Sequence, residues 1–453
     1  MEGFRPYPEE LVREYKENKW WLETNFIDAL SRSCDLHPHK EAVVEGDTRL
    51  TFSELIESSR RAALAFLELG LGPGSIVLHQ LPNWVESLVV YTGLQTIGAI
   101  PVMCLPRHGQ RELESFCALT GATAWFGPAT FGRMEYVPWL KAIQERHPYL
   151  KHVVVARDEA PEGTLSLSKL MAEARVDEGS GEYLRRFRPS PDDVIHLAPT
   201  GGTTGLPKLV PRTANAHLTK AHHFCRAFGK GPDDVDLLFA PINHDAPQLV
   251  SVGSLALFGT KIALSPSTRI NDILENVERE RATFTFLVPA LLTDVLYAPD
   301  RDKYDISSLK TVVSGGAHCP SELIKAVTEQ LSFKFFNCYG QTEGAGVGTR
   351  ADDPLDVVSF TVGKPFCPHD RFRVVDDDGN ELPQGEIGEL ATQGPCIFSG
   401  YYKSDEENKQ VFTQDGFFRS GDMAKFDPQG HIIITGRKKD IINRGGEKVS
   451  AVE

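Results

Sequence analysis

Residues Thr200 to Lys208 read Thr-Gly-Gly-Thr-Thr-Gly-Leu-Pro-Lys, with the apolar run DVIHLAP before them and a helix-like segment after. A strand that ends in such a turn offers backbone N–H groups, hydroxyls and one ammonium to a phosphate. The glycines let the backbone approach closely, and the nearby helix start favours negative charge. It is not a Walker A loop, which needs Gly-Lys-Ser/Thr, because Lys208 here follows Pro207. The stretch therefore predicts a phosphate cradle of another kind.

The surrounding elements must hold that cradle. The segment LTFSELIESSRRAALAFLELG places Thr51 and Glu54 in capping-box spacing, keeps an apolar face and stops at Gly70. SIVLHQ then reads as a strand, WVESLVVYTGLQTIG as a helix and AIPVMCL as a strand. Such alternation predicts parallel strands with helical crossovers. The polar stretch Asp177–Asp193 reads as a linker, after which the alternation resumes. From about Asp352 the texture changes to short strands and tight turns, which predicts antiparallel β. The expected division is a first α/β subdomain over 1–190 and a second over 191–351 with the cradle and an acid pocket. A small β-barrel would span 352–437, with a hinge and further segment over 438–453.

At 453 residues and 41% apolar content the chain has material for several cores. A formal charge of −14 argues against nucleic acid or an acidic membrane as partner. The most apolar run, Leu88–Pro106, is broken by Gly93, Gln95, Gly98 and Pro101 and reads as a buried helix and strand. Eight cysteines show no CxxC pair and no metal-ligand spacing. Reduced, buried thiols and a start with no signal-peptide core predict a cytoplasmic protein.

TGGTTGLPK resembles the phosphate loop of the adenylate-forming enzymes: acyl- and aryl-CoA ligases, peptide-synthetase adenylation domains and luciferases. Three later stretches match that family in its order. SGGAHCP (Ser314–Pro320) is similar to its adenine strand-turn, and NCYGQTEG (Asn337–Gly344) to its adenine and magnesium motif. FRSGDMAKFDPQGHIIITGRKKDIINRGGEKVS is similar to its ribose and hinge motifs. KLVPRT, GEIGEL, DGFFRSGD and INRGGEKVSAVE point to the aryl-acid branch, which holds 2-aminobenzoate-CoA ligases and dihydroxybenzoate-AMP ligases. The resemblance implies α/β architecture: two parallel-sheet subdomains plus a small antiparallel barrel.

It also implies a reaction, the joining of a carboxylate to the α-phosphate of ATP with release of pyrophosphate. Two anions meet, so positioning and charge neutralisation dominate. By the motifs, Thr200, Gly201, Gly202, Thr203, Thr204 and Gly205 hold the β- and γ-phosphates, and Lys208 adds positive charge. Glu343 coordinates Mg²⁺, a hard cation that prefers oxygen, and Thr342 donates to the α-phosphate. Gly316 and Ala317 line the adenine with Tyr339 stacked on it. Asp422 accepts from the ribose diol, supported by Arg437. The small residues Gly315, Cys338, Gly340 and Gly346 line the acid's ring.

FAPINHDAPQLVSVG falls at the family's acid pocket. His244 matches that branch's His, but Asp245 stands where dihydroxybenzoate ligases have Asn, and Val250 where they have a serine facing the 3-hydroxyl. A catechol would bury that hydroxyl without a partner, at about 1–3 kcal/mol. An ionised Asp is acceptor-only and favours an ortho donor such as an aryl amine. The resulting expectation ranks 2-aminobenzoate (anthranilate) ahead of salicylate, and both ahead of benzoate. The nearby substrate carboxylate repels Asp245, an effect that a charged His244 would offset. Coenzyme A is the expected acceptor, with an acyl carrier protein's phosphopantetheine as the alternative. The sequence ends near the family's hinge at Lys439-Asp440, so the resemblance implies that the mobile lid and its second lysine are missing and turnover is impaired. A reading of another class is a non-catalytic acyl-adenylate binder. The joint presence of Lys208, Glu343, Asp422 and Arg437 speaks for an enzyme.

Overall fold

The computed structural model describes residues 1–201, 207–444 and 447–450. Three sheets organise the chain. A seven-stranded sheet runs Leu209–Thr213, Val194–Pro199, Ile100–Met103, Ile76–His79, Ala124–Gly127, His152–Val155, Leu165–Ser166. A nine-stranded sheet runs Lys364–Pro365, Gly346–Gly348, Lys334–Gly340, Thr311–Ser314, Phe284–Leu287, Val235–Leu238, Lys261–Leu264, Glu41–Glu45, Thr48–Thr51. Its six central strands are parallel and its edges antiparallel. Arg371–Val375, Gly388–Gln393, Phe418–Phe426 and Ile432–Arg437 form the third sheet, all antiparallel.

The expected break at 190 does not separate the two parallel sheets. The hairpin Glu41–Thr51 joins the later sheet, and Val194–Pro199 with Leu209–Thr213 joins the earlier one. Local pattern marks a strand as parallel and buried, but its neighbour is chosen by packing across long sequence distances. The Gly/Thr stretch thus leaves the first sheet, not the second. The region expected as a barrel differs too. Residues 364–365 belong to the nine-stranded sheet, and the four antiparallel strands form an open sheet whose first and last members are not paired among the described residues. The Asp177–Asp193 stretch packs instead of linking. It contains the helix Ser180–Arg185, Arg188 pairs with Asp28, and Asn25 Nδ2 donates to Pro189 O.

Elsewhere local chemistry sets the elements as expected. Thr51 and Glu54 form the reciprocal capping box on helix Phe52–Glu68, and Gly70 leaves it at φ +78°. The apolar run splits into helix Val85–Thr96 and strand Ile100–Met103, both buried. Gly93 has a packing role there. A Cβ on it would lie 2.9 Å from Ala62 Cβ, so the glycine lets the two helices touch. No helix among the described residues is long and apolar enough to cross a membrane.

Candidate active site

The motif residues follow strand carboxyl ends, where parallel α/β sheets present loops to ligands. Thr200 and Gly201 follow Val194–Pro199. His244 and Asp245 follow Val235–Leu238, Gly315 to Ala317 follow Thr311–Ser314, and Gln341 to Glu343 follow Lys334–Gly340. Thr200 closes the neck of the Gly/Thr stretch: its N–H donates to Lys208 O at 2.8 Å, and its Oγ1 accepts from Lys208 N at 3.1 Å. Gly202, Thr203, Thr204 and Gly205 lie outside the described residues.

An unbroken chain of contacts joins three of the four motifs. The Lys208 ammonium pairs with Glu407 and sits 4.7 Å above the Tyr401 ring. That ion pair is half-exposed and therefore weak, so Lys208 can change partner at little cost. Tyr401 OH donates to Glu343 Oε1 at 2.6 Å. Burial raises the Glu343 carboxyl, and this bond opposes the shift. Two residues away, Gln341 Nε2 donates to Asp422 Oδ2 at 2.6 Å. Tyr339 OH donates to the same oxygen at 2.7 Å, and Arg437 Nε lies 3.2 Å from Oδ1. Burial raises Asp422, with Tyr339, Arg437 and Gln341 acting against it. Asp422 and Arg437 are also cross-strand partners.

The turn carrying Thr342 and Glu343 is built for close contact. Gly344 sits at φ +126°, and a Cβ there would lie 2.3 Å from Cys396 O. Gly340 and Gly346 are paired across the strands flanking this turn. Gly316, at φ +81°, and Ala317 are exposed in the loop after Thr311–Ser314.

Asp245 has a partner that the sequence did not reveal. Lys220, from helix Ala214–Ala227, places Nζ 3.0 Å from Asp245 Oδ2 and 3.1 Å from Gln341 O. Both side chains of the pair are buried. Burial alone would raise the Asp245 carboxyl, but Lys220, then Arg212, holds it below the usual range. Burial and Arg212 lower Lys220 while Asp245 opposes them. Burial is thus the main lowering cause at Lys220 and the Lys220 ammonium the main lowering cause at Asp245, with Arg212 adding to both. Asp245 Oδ1 is buried without a hydrogen-bond partner among the described residues.

His244 does not fill the expected counter-ion role. It is exposed, yet the surrounding protein holds its imidazole below the ordinary histidine range, so it is neutral near pH 7. Lys220 and Arg212 supply the positive charge instead. Val250 and Cys338 sit in a phenylalanine-rich cluster with Phe224, Phe228, Phe284, Phe336 and Phe366. Burial pushes the Cys338 thiol up, away from nucleophilic character. A Cβ on Gly346 would meet the Phe224 ring at 2.3 Å, and one on Gly315 would lie 2.7 Å from Cys338 O. These glycines therefore admit the close approach of Phe224 and Cys338. Sequence reasoning missed Lys220, Tyr401, Gln341 and Arg212, although Gln341 and Arg212 lie inside quoted motifs. The other two come from segments with no local signature.

Residues 30–402 match the family described as AMP-binding enzyme. The chain is 35% identical over its whole length to a 2,3-dihydroxybenzoate-AMP ligase of Bacillus subtilis, of which it covers 82%. It is 33% identical over 99% of its length to a salicyl-AMP ligase / salicyl-S-ArCP synthetase of Mycobacterium tuberculosis, of which it covers 79%. The apo structure of MbtA from Mycobacterium smegmatis superposes with a TM-score of 0.89 at 32% identity, over 99% of this chain and 82% of that one. With three of its motifs joined in one contact chain and these relatives alongside, the chain belongs to the AMP-binding enzyme family.

Proposed function

We propose that this protein activates an aryl carboxylic acid as its acyl-adenylate, releasing pyrophosphate, and passes the acyl group to a phosphopantetheine thiol. The observation that carries this reading is the continuous contact path from Lys208 through Tyr401, Glu343 and Gln341 to Asp422 on one side and Lys220–Asp245 on the other. Phosphate, metal, ribose and acid functions then share one cleft. Glu343 offers a carboxylate oxygen suited to Mg²⁺, and Asp422 offers acceptors suited to a ribose diol.

For the acid, 2-aminobenzoate is the preferred substrate. Asp245 Oδ2 is taken by Lys220, while Oδ1 is a buried acceptor with no donor. An ortho amine supplies that donor and restores the missing hydrogen bond. Lys220 and Arg212 answer the Coulombic objection, because the cluster can accept a second carboxylate. Salicylate is the nearest competitor, since its phenol also donates. For the acceptor, the relative named for salicyl-S-ArCP favours a carrier-protein arm over coenzyme A.

Acid-dependent ATP–pyrophosphate exchange with a panel of benzoates tests the substrate. The expected order of kcat/KM is 2-aminobenzoate, salicylate, benzoate. A higher value for 2,3-dihydroxybenzoate or benzoate than for both ortho-donor acids refutes the pocket assignment. Thioester formation with coenzyme A against a phosphopantetheinylated carrier protein decides the acceptor. No exchange with any aryl acid and Mg²⁺ would leave only an adenylate binder.

A further inference from the structure

Cysteines that are dispersed in the sequence meet in the fold. Cys367, Asp370 and Cys396 are 2%, 7% and 1% exposed, and one ligand atom from each lies within 4.8 Å of the others. Cys367 and Asp370 occupy the loop before strand Arg371–Val375, and Cys396 the loop after Gly388–Gln393. The loops are fastened at the backbone: Cys396 N–H donates to Asp370 Oδ1 at 3.1 Å, and Asp370 N–H donates to Cys367 O at 3.2 Å. A Cβ on Gly394 would lie 2.3 Å from Asp370 Oδ1, so glycine permits this approach.

Buried ionisable groups gather at a cost unless something compensates them. Here Arg212 Nη2 donates to Cys396 O at 3.1 Å, and Lys220 acts electrostatically on both Cys396 and Asp370. Two sulfurs and a carboxylate match three donors of a tetrahedral zinc site, and thiolates select against Mg²⁺.

We propose that Cys367, Cys396 and Asp370 form a structural site for a thiophilic divalent cation of the zinc class. The site reaches the reaction cleft through backbone contacts. Cys396 O packs against Gly344, Phe398 N–H donates to Glu343 O at 2.7 Å, and Tyr401 lies further along the same segment. A bound ion ties this segment to the loop at 367–370 and steadies the turn that carries Glu343.

Metal analysis of the whole protein after gel filtration from zinc-containing buffer tests the proposal. The expected result is near-stoichiometric zinc, cut at least tenfold by Cys367→Ser and by Cys396→Ser and retained by Glu407→Gln. Wild-type protein loaded with Co²⁺ instead is expected to show thiolate-to-cobalt charge-transfer absorption sized for two sulfurs, a readout independent of variant folding. Wild type that takes up neither ion with both thiols reduced overturns the proposal. Zinc retained by both serine variants, or a Cys367–Cys396 disulfide found by mass, overturns it equally.

Discussion

Lys220 and Asp245 set the most direct test at the level of single residues. Replacing Asp245 with Asn keeps the shape but removes the charge that the proposed ortho amine would meet. The expected outcome is a roughly ten- to hundredfold fall in kcat/KM for 2-aminobenzoate relative to benzoate, or about 1–3 kcal/mol. Lys220→Met should be worse for the fold than for selectivity, because it strands Asp245 in the interior. The cost by chemical denaturation is expected at about 3–5 kcal/mol, with much of it recovered in the Lys220→Met, Asp245→Leu double variant. Equal costs for the single and double variants would mean the two charges do not act as a pair. Tyr401→Phe deletes one charge-assisted hydrogen bond to Glu343 without changing shape. Pyrophosphate exchange is expected to fall about tenfold or more, in line with about 1.5–3 kcal/mol for such a bond. An unchanged rate would show that Tyr401 does not position Glu343. Asp245, Glu343 and Asp422 could be singled out in the sequence because each lies in or beside a motif whose residue types fit one chemistry. Lys220 and Tyr401 could not, since a lysine inside an ordinary helix and a tyrosine in a loop acquire their roles only through partners 25 and 58 positions away.

Among the elements, the turn at Gln341–Ala345 has the tightest tolerances. Its glycine at 344 combines a left-handed backbone with carbonyl contact to Cys396, so Gly344→Ala adds a clash to strain of about 1–3 kcal/mol. The expected outcome is a lowered denaturation midpoint together with weakened exchange, because the same turn carries Thr342 and Glu343. A variant with wild-type stability would show that the two segments are not in close contact. The elements also mark where sequence reading stops. The capping box at Thr51 and Glu54, the stop at Gly70 and the alternation of strand and helix are local, and they emerge as expected. Sheet membership is not local. Nothing within Val194–Pro199 says that it pairs with Ile100–Met103, and nothing within Glu41–Glu45 says that it pairs with Lys261–Leu264. Those pairings exchange strands across the expected boundary at 190. Closure of a barrel from the last strands was likewise beyond the local pattern, which encodes alternation but not the partner of an edge.

For the molecule as a whole, buried histidines set the response to acid. His79 is fully buried, its Nε2 bonded to Ser87 O, and burial lowers it to about 4. His108, whose Nδ1 accepts from Leu105 N–H, is lowered to about 4 by burial, and His196 to about 3. In the unfolded chain each regains an ordinary value near 6.5. The unfolded state therefore binds more protons between about pH 6.5 and 4. The stability these neutral rings contribute is complete above 6.5 and is lost as pH falls toward 4. Asp236, raised by burial to about 6 against the pull of Lys230, works the other way and offsets about one of these protons. From these four groups alone, uptake on unfolding is about two protons, or roughly 2–3 kcal/mol lost per pH unit in the middle of the window. Denaturant midpoints measured from pH 7 to 5 should fall accordingly. His108→Asn, which keeps an acceptor for Leu105 N–H, should reduce the slope by about one proton while leaving the fold in place at pH 7. A midpoint that stays level or rises on acidification would mean that these rings are already charged in the native protein. The −14 charge of the chain also diminishes over this range, which relieves self-repulsion, so a loss of stability in acid can be assigned to the buried rings and not to net charge.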